Sequence, residues 1–202
     1  MKKVILFGLL LCMGVATASG QKSNIQVFGV QFGSTYEEFL SAFKDKEFTG
    51  DTQTYENAEG VDIYNIFGTF MGYKCAIKMW ATRLTHTVYK MTISFSLNND
   101  KDMPALEYCR AIIAKFEEKY GKATLIQKMH GSKVVQDLEE SSAAVWKLED
   151  NIDLEVFYRG FDSYKVTYGG TEAFDGLFQK EADQYRQQKA LEIQNQMSNS
   201  DF

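Results

Sequence analysis

The sequence predicts an α+β fold, with a single antiparallel sheet of six to seven strands and helices packed on one face. Three observations lead to this prediction. Apolar residues recur at helical spacing in two segments and at every second position in several others. Each helical segment precedes a group of strand-like segments, and the 202 residues fit one domain. Because a half-apolar sheet must bury that face, we expect the helices to cover it.

The first predicted helix begins at Ser34. Ser34 and Glu37 have the spacing of a capping box, in which each side chain bonds the other residue's backbone N–H. The apolar residues that follow, at helical spacing, are Tyr36, Phe39, Leu40 and Phe43. This stripe predicts one buried helix face.

Three strands are predicted next. Residues 61–70 and 73–81 form a hairpin, with a tight turn at Met71 and Gly72. In the third strand, Tyr89 to Leu97, apolar residues alternate with polar ones. This alternation predicts that one face of the sheet is buried.

A second helix is bounded by clear signals. Asp102 is a suitable N-cap, Pro104 lies in the first turn, and Gly121 ends the helix. Its predicted inward stripe is Leu106, Cys109, Ile113, Phe116 and Tyr120.

Further strands are predicted after this helix, at 123–129, 143–149, 152–158 and 164–168. Asp150 and Asn151 fit a two-residue hairpin turn. The order suggests one α-β-β-β unit used twice, with half-units at about 25–97 and 98–170, inside a single domain of residues 21–185.

A last helix starts near Thr171, and its apolar face fades after Tyr185. Residues 186–202 are therefore predicted to be a polar C-terminal helical tail. Such a tail either extends into solvent or lies against a partner through Ala190, Ile193 and Met197.

Residues 1–20 have the pattern of a secretory signal peptide. Lys2 and Lys3 precede an apolar run that ends at Val15, and the small residues 16–18 follow it. The predicted location is therefore secreted or periplasmic. An alternative is a lipoprotein acylated at Cys12, although Leu11 before it is bulky for such a site.

The charge of the chain excludes one class of partner. Without the leader, 20 basic and 27 acidic residues give a net charge of −7. Nucleic acid is therefore an unsuitable partner, because phosphate binding needs a basic surface. We also expect no membrane span in the mature chain, since no later segment is apolar enough.

Two cysteines remain in the mature chain. Cys75 has the same strand parity as apolar Ile77 and Met79, and Cys109 lies on the inward stripe of its helix. Both are expected to face the same interior. They form either a disulfide, which an exported protein permits, or two buried free thiols.

No pattern of catalytic or metal-binding residues is found. His86 and His130 lie in different loops, and neither has a neighbour at metal-ligand spacing. The loop "NNDKD" has acidic residues at alternate positions, but Met103 replaces the glycine of a calcium loop. We therefore predict no catalytic residue, no metal and no cofactor.

Trp80 is the main candidate binding residue. Its parity places it with Lys74 and Lys78, on the face away from the helices, and an exposed aromatic ring is a good anchor for a ligand. Phe70 and Tyr64 are candidate neighbours. The alternative is that a loop or the C-terminal segment covers Trp80.

Three segments resemble known exported proteins. "GVQFGSTYEEFLSAF" resembles the helix entry of beta-lactamase-inhibitor-like domains and of outer-membrane-assembly lipoproteins. "IFGTFMGYKCAI" and "KFEEKYGKAT" resemble segments of uncharacterised secreted proteins of Gram-negative gut bacteria. The resemblance implies a helix-and-sheet binding module, and it brings no catalytic residues.

The sequence leaves three functions open. The first is a non-catalytic secreted or periplasmic binding module for an unknown protein or glycan. The second is a structural envelope component that oligomerises through the C-terminal helix. The third is a hydrolase, which would need a histidine joined to a carboxylate in the fold.

Overall fold

The computed structural model describes residues 24–44, 48, 55–56, 61–70, 73–96, 105–128, 133–139, 141–160, 163–170 and 172–199. The predicted signal peptide, the turn at Met71 and Gly72, the cap at Asp102, the "NNDKD" loop and His130 lie outside these residues.

Within the described residues, the helices are α1 (Tyr36–Phe43), α2 (Ala105–Tyr120) and α3 (Glu172–Asn199). The first six strands are β1 (Gln26–Val27), β2 (Val30–Gln31), β3 (Tyr55–Glu56), β4 (Val61–Phe70), β5 (Tyr73–Thr82) and β6 (Val88–Ser96). The remaining strands are β7 (Thr124–Gln127), β8 (Lys133–Val134), β9 (Ser142–Lys147), β10 (Ile152–Gly160) and β11 (Ser163–Gly170).

The predicted class, α+β with an antiparallel sheet, is confirmed, but the predicted single sheet of six to seven strands is wrong. The described chain forms a nine-stranded sheet, in the order β3-β4-β5-β6-β11-β10-β9-β7-β8, and β1 and β2 form a separate hairpin. The strands that the prediction misses include β1, β3 and β8, which have two residues each. A two-residue strand is too short to show any period.

The two halves of the chain meet in the middle of the large sheet. Strands β4, β5 and β6 form one meander, strands β9, β10 and β11 form another, and β6 pairs antiparallel with β11. One row of paired residues crosses these six strands, and all its members are buried: Ile66, Ile77, Ile93, Val166, Val156 and Ala144. The two halves therefore share one continuous apolar face.

Helices α1 and α2 cover this face. Phe39 and Phe43 of α1 belong to the same core cluster as Ile93 of β6 and Ile113 of α2. The prediction of a single shared interior is therefore confirmed. On the side of α2, the Phe116 ring packs edge-on against Trp146, with 5.8 Å between the ring centroids.

The predicted N-cap of α1 is wrong by one residue. Thr35, not Ser34, is the N-cap, and it forms a capping box with Glu38. Ser34 is buried, and its carbonyl oxygen accepts a hydrogen bond from the Val88 N–H. Both pairs have the capping-box spacing, and this backbone contact with β6 decides between them.

Of the two alternatives for the cysteines, the structure has the second, because Cys75 and Cys109 are both free and buried. Each faces the interior, as predicted, but a bridge also needs the two Cα atoms to lie about 4.4 to 6.8 Å apart. Burial raises the pKa of Cys75 to about 11 and that of Cys109 to about 12. Both thiols are therefore protonated and unreactive near neutral pH.

Helix α3 is anchored at one end of β4 and β5. Arg83 donates hydrogen bonds to Asp62 of β4 and to the Tyr185 hydroxyl of α3. Glu181 of α3 is buried and accepts a hydrogen bond of 2.7 Å from the Thr85 hydroxyl. Residues 186–198 are all exposed, so the second half of α3 extends into solvent. No described helix combines the length and the apolar character needed to cross a bilayer.

Candidate functional site

The outer face of the sheet is the face that α1 and α2 leave uncovered. It consists of the residues that alternate with the buried ones along each strand. Several of its members on β4, β5 and β6 are exposed: Phe67, Thr69, Lys74, Lys90 and Ser94. A ligand in solution therefore has direct access to this half of the face.

Trp80 lies on the outer face, as predicted. Its cross-strand neighbours are Ile63 of β4 and Lys90 of β6. The ring is half-buried, and the ammonium groups of Lys78 and Lys90 lie 5.1 and 4.9 Å from its centroid. These distances are within the range of cation–π contacts, which contribute about 0.5 to 1 kcal/mol each at exposed sites.

A β-bulge follows the pair of Trp80 and Lys90. Trp80 pairs with Lys90, but Ala81 pairs with Val88, so Tyr89 is an extra residue on β6. Tyr89 stacks on Phe178 of α3, with 5.1 Å between the ring centroids. Trp80 and Lys90 are the last pair of the regular register that begins at Cys75 and Phe95, and the bulge follows them.

The predicted residues Lys74 and Lys78 lie on the outer face with Trp80. Phe70 does not, and this part of the prediction is wrong. Phe70 is partly buried against the core on the helix side, where its ring lies 6.0 Å from that of Phe95, and Tyr64 is buried on the same side. Phe70 pairs with Tyr73, and cross-strand partners always share a face.

The sequence contains enough information to avoid this error. A two-residue turn at 71–72 makes Phe70 the partner of Tyr73, whose parity is that of buried Cys75. The alternation along β6 likewise places Lys90 on the outer face with Thr92 and Ser94, and the regular pairing of β5 with β6 sets it opposite Trp80, although the prediction does not select it.

The second half of the outer face has its own aromatic residue. The Lys165 ammonium lies 5.4 Å from the centroid of the Phe157 ring, which is half-buried. Lys165 pairs with Ser94 of β6, so this group adjoins the surface around Trp80. Sequence analysis does not select it, because neither residue is unusual for a strand.

A second polar group lies at the start of α1. The His86 Nδ1 atom lies 2.6 Å from a carboxylate oxygen of Glu37, and the His86 carbonyl accepts a hydrogen bond from the Tyr36 N–H. His86 has a φ of 56°, a region in which histidine is more frequent than most residues. Burial alone raises the pKa of Glu37, but its hydrogen bonds, the one with His86 foremost, outweigh burial and leave it lowered.

This histidine–carboxylate pair is the arrangement that a hydrolase would need, but it is incomplete. The side chains of His86 and Glu37 are 41% and 51% exposed. Among the described residues, the His86 ring forms a hydrogen bond with Glu37, and no serine or cysteine joins the pair as a nucleophile. We therefore propose no hydrolytic reaction here.

Metal binding finds no support in the part of the chain that the structure describes. No group of three or more His, Cys, Asp or Glu side chains there is placed to hold an ion.

Comparison with known proteins gives no relative. No protein-family model, no curated protein and no solved structure matches this chain. The function is therefore argued from the residues of this molecule alone.

Proposed function

We propose that this protein is a non-catalytic binding module, exported to the periplasm or secreted, which holds a protein or glycan ligand on the outer face of its sheet. The observation that supports this proposal most is the Trp80 ring, with Lys78 and Lys90 at 5.1 and 4.9 Å from its centroid. Aromatic side chains next to cationic groups are common anchors in binding surfaces.

The surroundings of Trp80 favour the same proposal. Phe67, four residues from Ile63 along β4 and also on the outer face, is 51% exposed. Large apolar side chains grouped on an open face often mark an interaction site. Helices α1 and α2 bury the other face of the sheet. Neither Trp80 nor Phe67 belongs to the core cluster of the described residues.

Replacement of Trp80 tests this proposal. Protein lacking the leader is immobilised and exposed to an envelope extract and to an array of polysaccharides. We expect Trp80→Ala to lose the captured ligand while its thermal unfolding shows that it remains folded. The matched control is Val134→Ala, because Val134 is an apolar residue that is 72% exposed on β8, far along the strand order.

Two results would contradict the proposal. One is capture of the same ligands by Trp80→Ala as by the unsubstituted protein. The other is an equal loss of capture in Val134→Ala, which would show that general surface hydrophobicity, and not the Trp80 surface, retains the ligand.

A second candidate function is a structural role through self-association of α3. Leu191, Ile193 and Met197 are 59%, 56% and 65% exposed. Ala190, Ile193 and Met197 recur at positions that form one stripe on a helix. Such a stripe favours packing against a second helix, which would link two copies of the chain.

Light scattering on the full chain tests this second function. We expect an oligomer for the unsubstituted protein and a monomer for the double variant Ile193→Asp and Met197→Asp. Asn195→Asp adds a charge to the same exposed turn on the opposite side of the helix from the stripe, and we expect it to remain oligomeric. A monomeric unsubstituted protein would contradict the structural role and leave the binding role unaffected.

A further inference from the structure

The outer face is divided by charge. The outward positions of β4, β5 and β6 include the three lysines Lys74, Lys78 and Lys90 and no carboxylate. Lys165 of β11 extends this group. None of the four forms an ion pair with a described residue, in a chain whose net charge is −5.

At the opposite end of the same face, lysines are neutralised by carboxylates. There Lys147 pairs with Asp153 at 2.5 Å, and Lys128 pairs with Glu155 at 2.6 Å. The lysines near Trp80 have no such partner among the described residues. This contrast within one face indicates a place where positive charge is kept available for an anion.

The Trp80 ring holds two of these charges together. Both Lys78 and Lys90 place their ammonium groups within 5.1 Å of one ring centroid. The two ammonium groups therefore lie no more than about 10 Å apart, and a negative group bound near both lowers their mutual repulsion. The ring thus prepares a two-lysine site for a carboxylate or a similar anion.

Hydroxyl groups occupy the centre of the face beside these lysines. Thr92 pairs with both Lys78 and Thr167 in one cross-strand row, and Ser94 is exposed next to it. Serine and lysine are depleted in the cores of protein–protein interfaces. Side-chain hydroxyls do, however, suit the hydroxyl groups of a carbohydrate, since each donates and accepts hydrogen bonds.

The dimensions of the surface favour an extended ligand. Lys74 and Trp80 lie six residues apart on β5, which is about 20 Å along a strand. Lys165 lies two strands from β5, about 10 Å across the sheet. A chain with repeated negative groups can contact several of these lysines at once, whereas a single small anion contacts two.

From these observations we infer that the outer face binds an acidic polysaccharide, with one carboxylate between Lys78 and Lys90. This inference rests on the proposed binding function and names its ligand class. The lysines recognise the carboxylates, Thr92 and Ser94 bond to sugar hydroxyls, and Phe67 offers an exposed apolar surface to the sugar rings.

Titration of the full chain without its leader tests the inference with three probes. They are polygalacturonate, its fully methyl-esterified form and polyglutamate, which separate carboxylated sugar, uncharged sugar and acidic polypeptide. We expect binding to polygalacturonate that weakens as salt is added, because screening reduces the attraction between exposed charges. Little binding is expected to the other two probes.

Substitution locates the binding. Lys78→Ala and Lys90→Ala are each expected to weaken polygalacturonate binding by about tenfold, the effect of one lost charge-assisted contact. Lys119→Ala is the matched control, because Lys119 also lies over an aromatic ring, 4.8 Å from the Tyr120 centroid, but on α2. Its affinity should remain unchanged.

Each other outcome has a definite meaning. Failure of polygalacturonate to bind, or binding that survives the double variant Lys78→Ala and Lys90→Ala, overturns the inference. Preferential binding of the esterified form or of polyglutamate, lost in Trp80→Ala, also overturns it but leaves the outer face as the binding surface. Loss of binding in Lys119→Ala as large as in Lys78→Ala would show attraction to general positive charge only.

Discussion

The two faces of the nine-stranded sheet are built from alternate residues of the same strands, yet they differ completely in what surrounds them. Ile93 on the inner face of β6 is fully buried, and the next residue, Ser94, is exposed on the outer face. The inner face forms the core, because α1 and α2 pack on it. These helices leave the outer face uncovered, and Lys90 and Ser94 are exposed there.

This difference also separates two kinds of electrostatic arrangement. Near the end of the inner face, Arg83 and Asp62 form an ion pair of 2.9 Å with side chains that are mostly buried. On the outer face, Lys78 and Lys90 are held over a ring without a carboxylate partner among the described residues. The first arrangement anchors a helix, and the second is the one on which the proposed binding function rests.

The sharpest test of the contrast between the faces compares two adjacent residues of β6. Ile93→Ala should lower the free energy of unfolding by about 2 to 5 kcal/mol, because it removes buried methyl groups and leaves a cavity. Ser94→Ala should change it by no more than about 0.5 kcal/mol, as is usual at an exposed position. Urea unfolding of both variants measures these values.

Similar losses of unfolding free energy in Ile93→Ala and Ser94→Ala would contradict the proposed difference between the two faces. A large loss in Ser94→Ala would mean that the outer face is also packed against part of the molecule. The proposed binding surface would then be part of the folded core.

A somewhat smaller effect is expected where α3 is anchored. Arg83→Ala should lower the free energy of unfolding by about 1.5 to 3 kcal/mol, because it leaves the buried Asp62 carboxylate without its charged partner. The control is Arg186→Ala, whose partner Asp183 lies on the same exposed helix surface. Its cost should be at most about 0.5 kcal/mol.

Hydrogen exchange locates this effect in the structure. Faster exchange of the α3 amides near Glu181 in Arg83→Ala, with little change in β10, is the expected pattern. Uniformly faster exchange would mean that Arg83 supports the whole sheet and not the attachment of α3.

The inner face was largely predictable from the sequence, because burial leaves a periodic pattern. The alternation along β6 and the stripe of α2 place Ile93 and Ile113 in one interior, and Cys75 faces it as the parity requires. Asp150 and Asn151 both have positive φ at the β9–β10 turn, a conformation that Asp and Asn adopt more readily than most residues. The structure extends that turn to Glu149–Asn151.

Predictions failed where a single long-range contact decides the outcome. Thr35 replaces Ser34 as the cap because the Ser34 backbone bonds Val88, a residue more than fifty positions away. The bulge at Tyr89 shifts the pairing of β5 with β6 by one residue beyond the Trp80–Lys90 pair, and such a shift changes the face on which the residues beyond it lie. Local residue patterns do not encode either feature.

The smallest predicted effect concerns the exposed pair of His86 and Glu37, which belongs to neither face. Because the pKa of Glu37 in the folded protein is below its ordinary value of 4.5, the ionised carboxylate stabilises the fold above about pH 4.5. This contribution is lost as the pH falls through the lowered pKa, since the carboxylate is then protonated in the folded state as well. We expect Glu37→Gln to be less stable than the unsubstituted protein at pH 7 by under about 1 kcal/mol, and the difference to vanish in acid.

The control is Glu118→Gln, because Glu118 is an exposed residue of α2 without an ion pair in the described structure. Its unfolding free energy should follow that of the unsubstituted protein at every pH. A Glu37→Gln difference that persists unchanged below pH 4 would show that the glutamate acts through packing or helix propensity and not through its charge. His86→Ala should reproduce part of the pH dependence, since it removes the foremost hydrogen-bond partner and keeps the carboxylate.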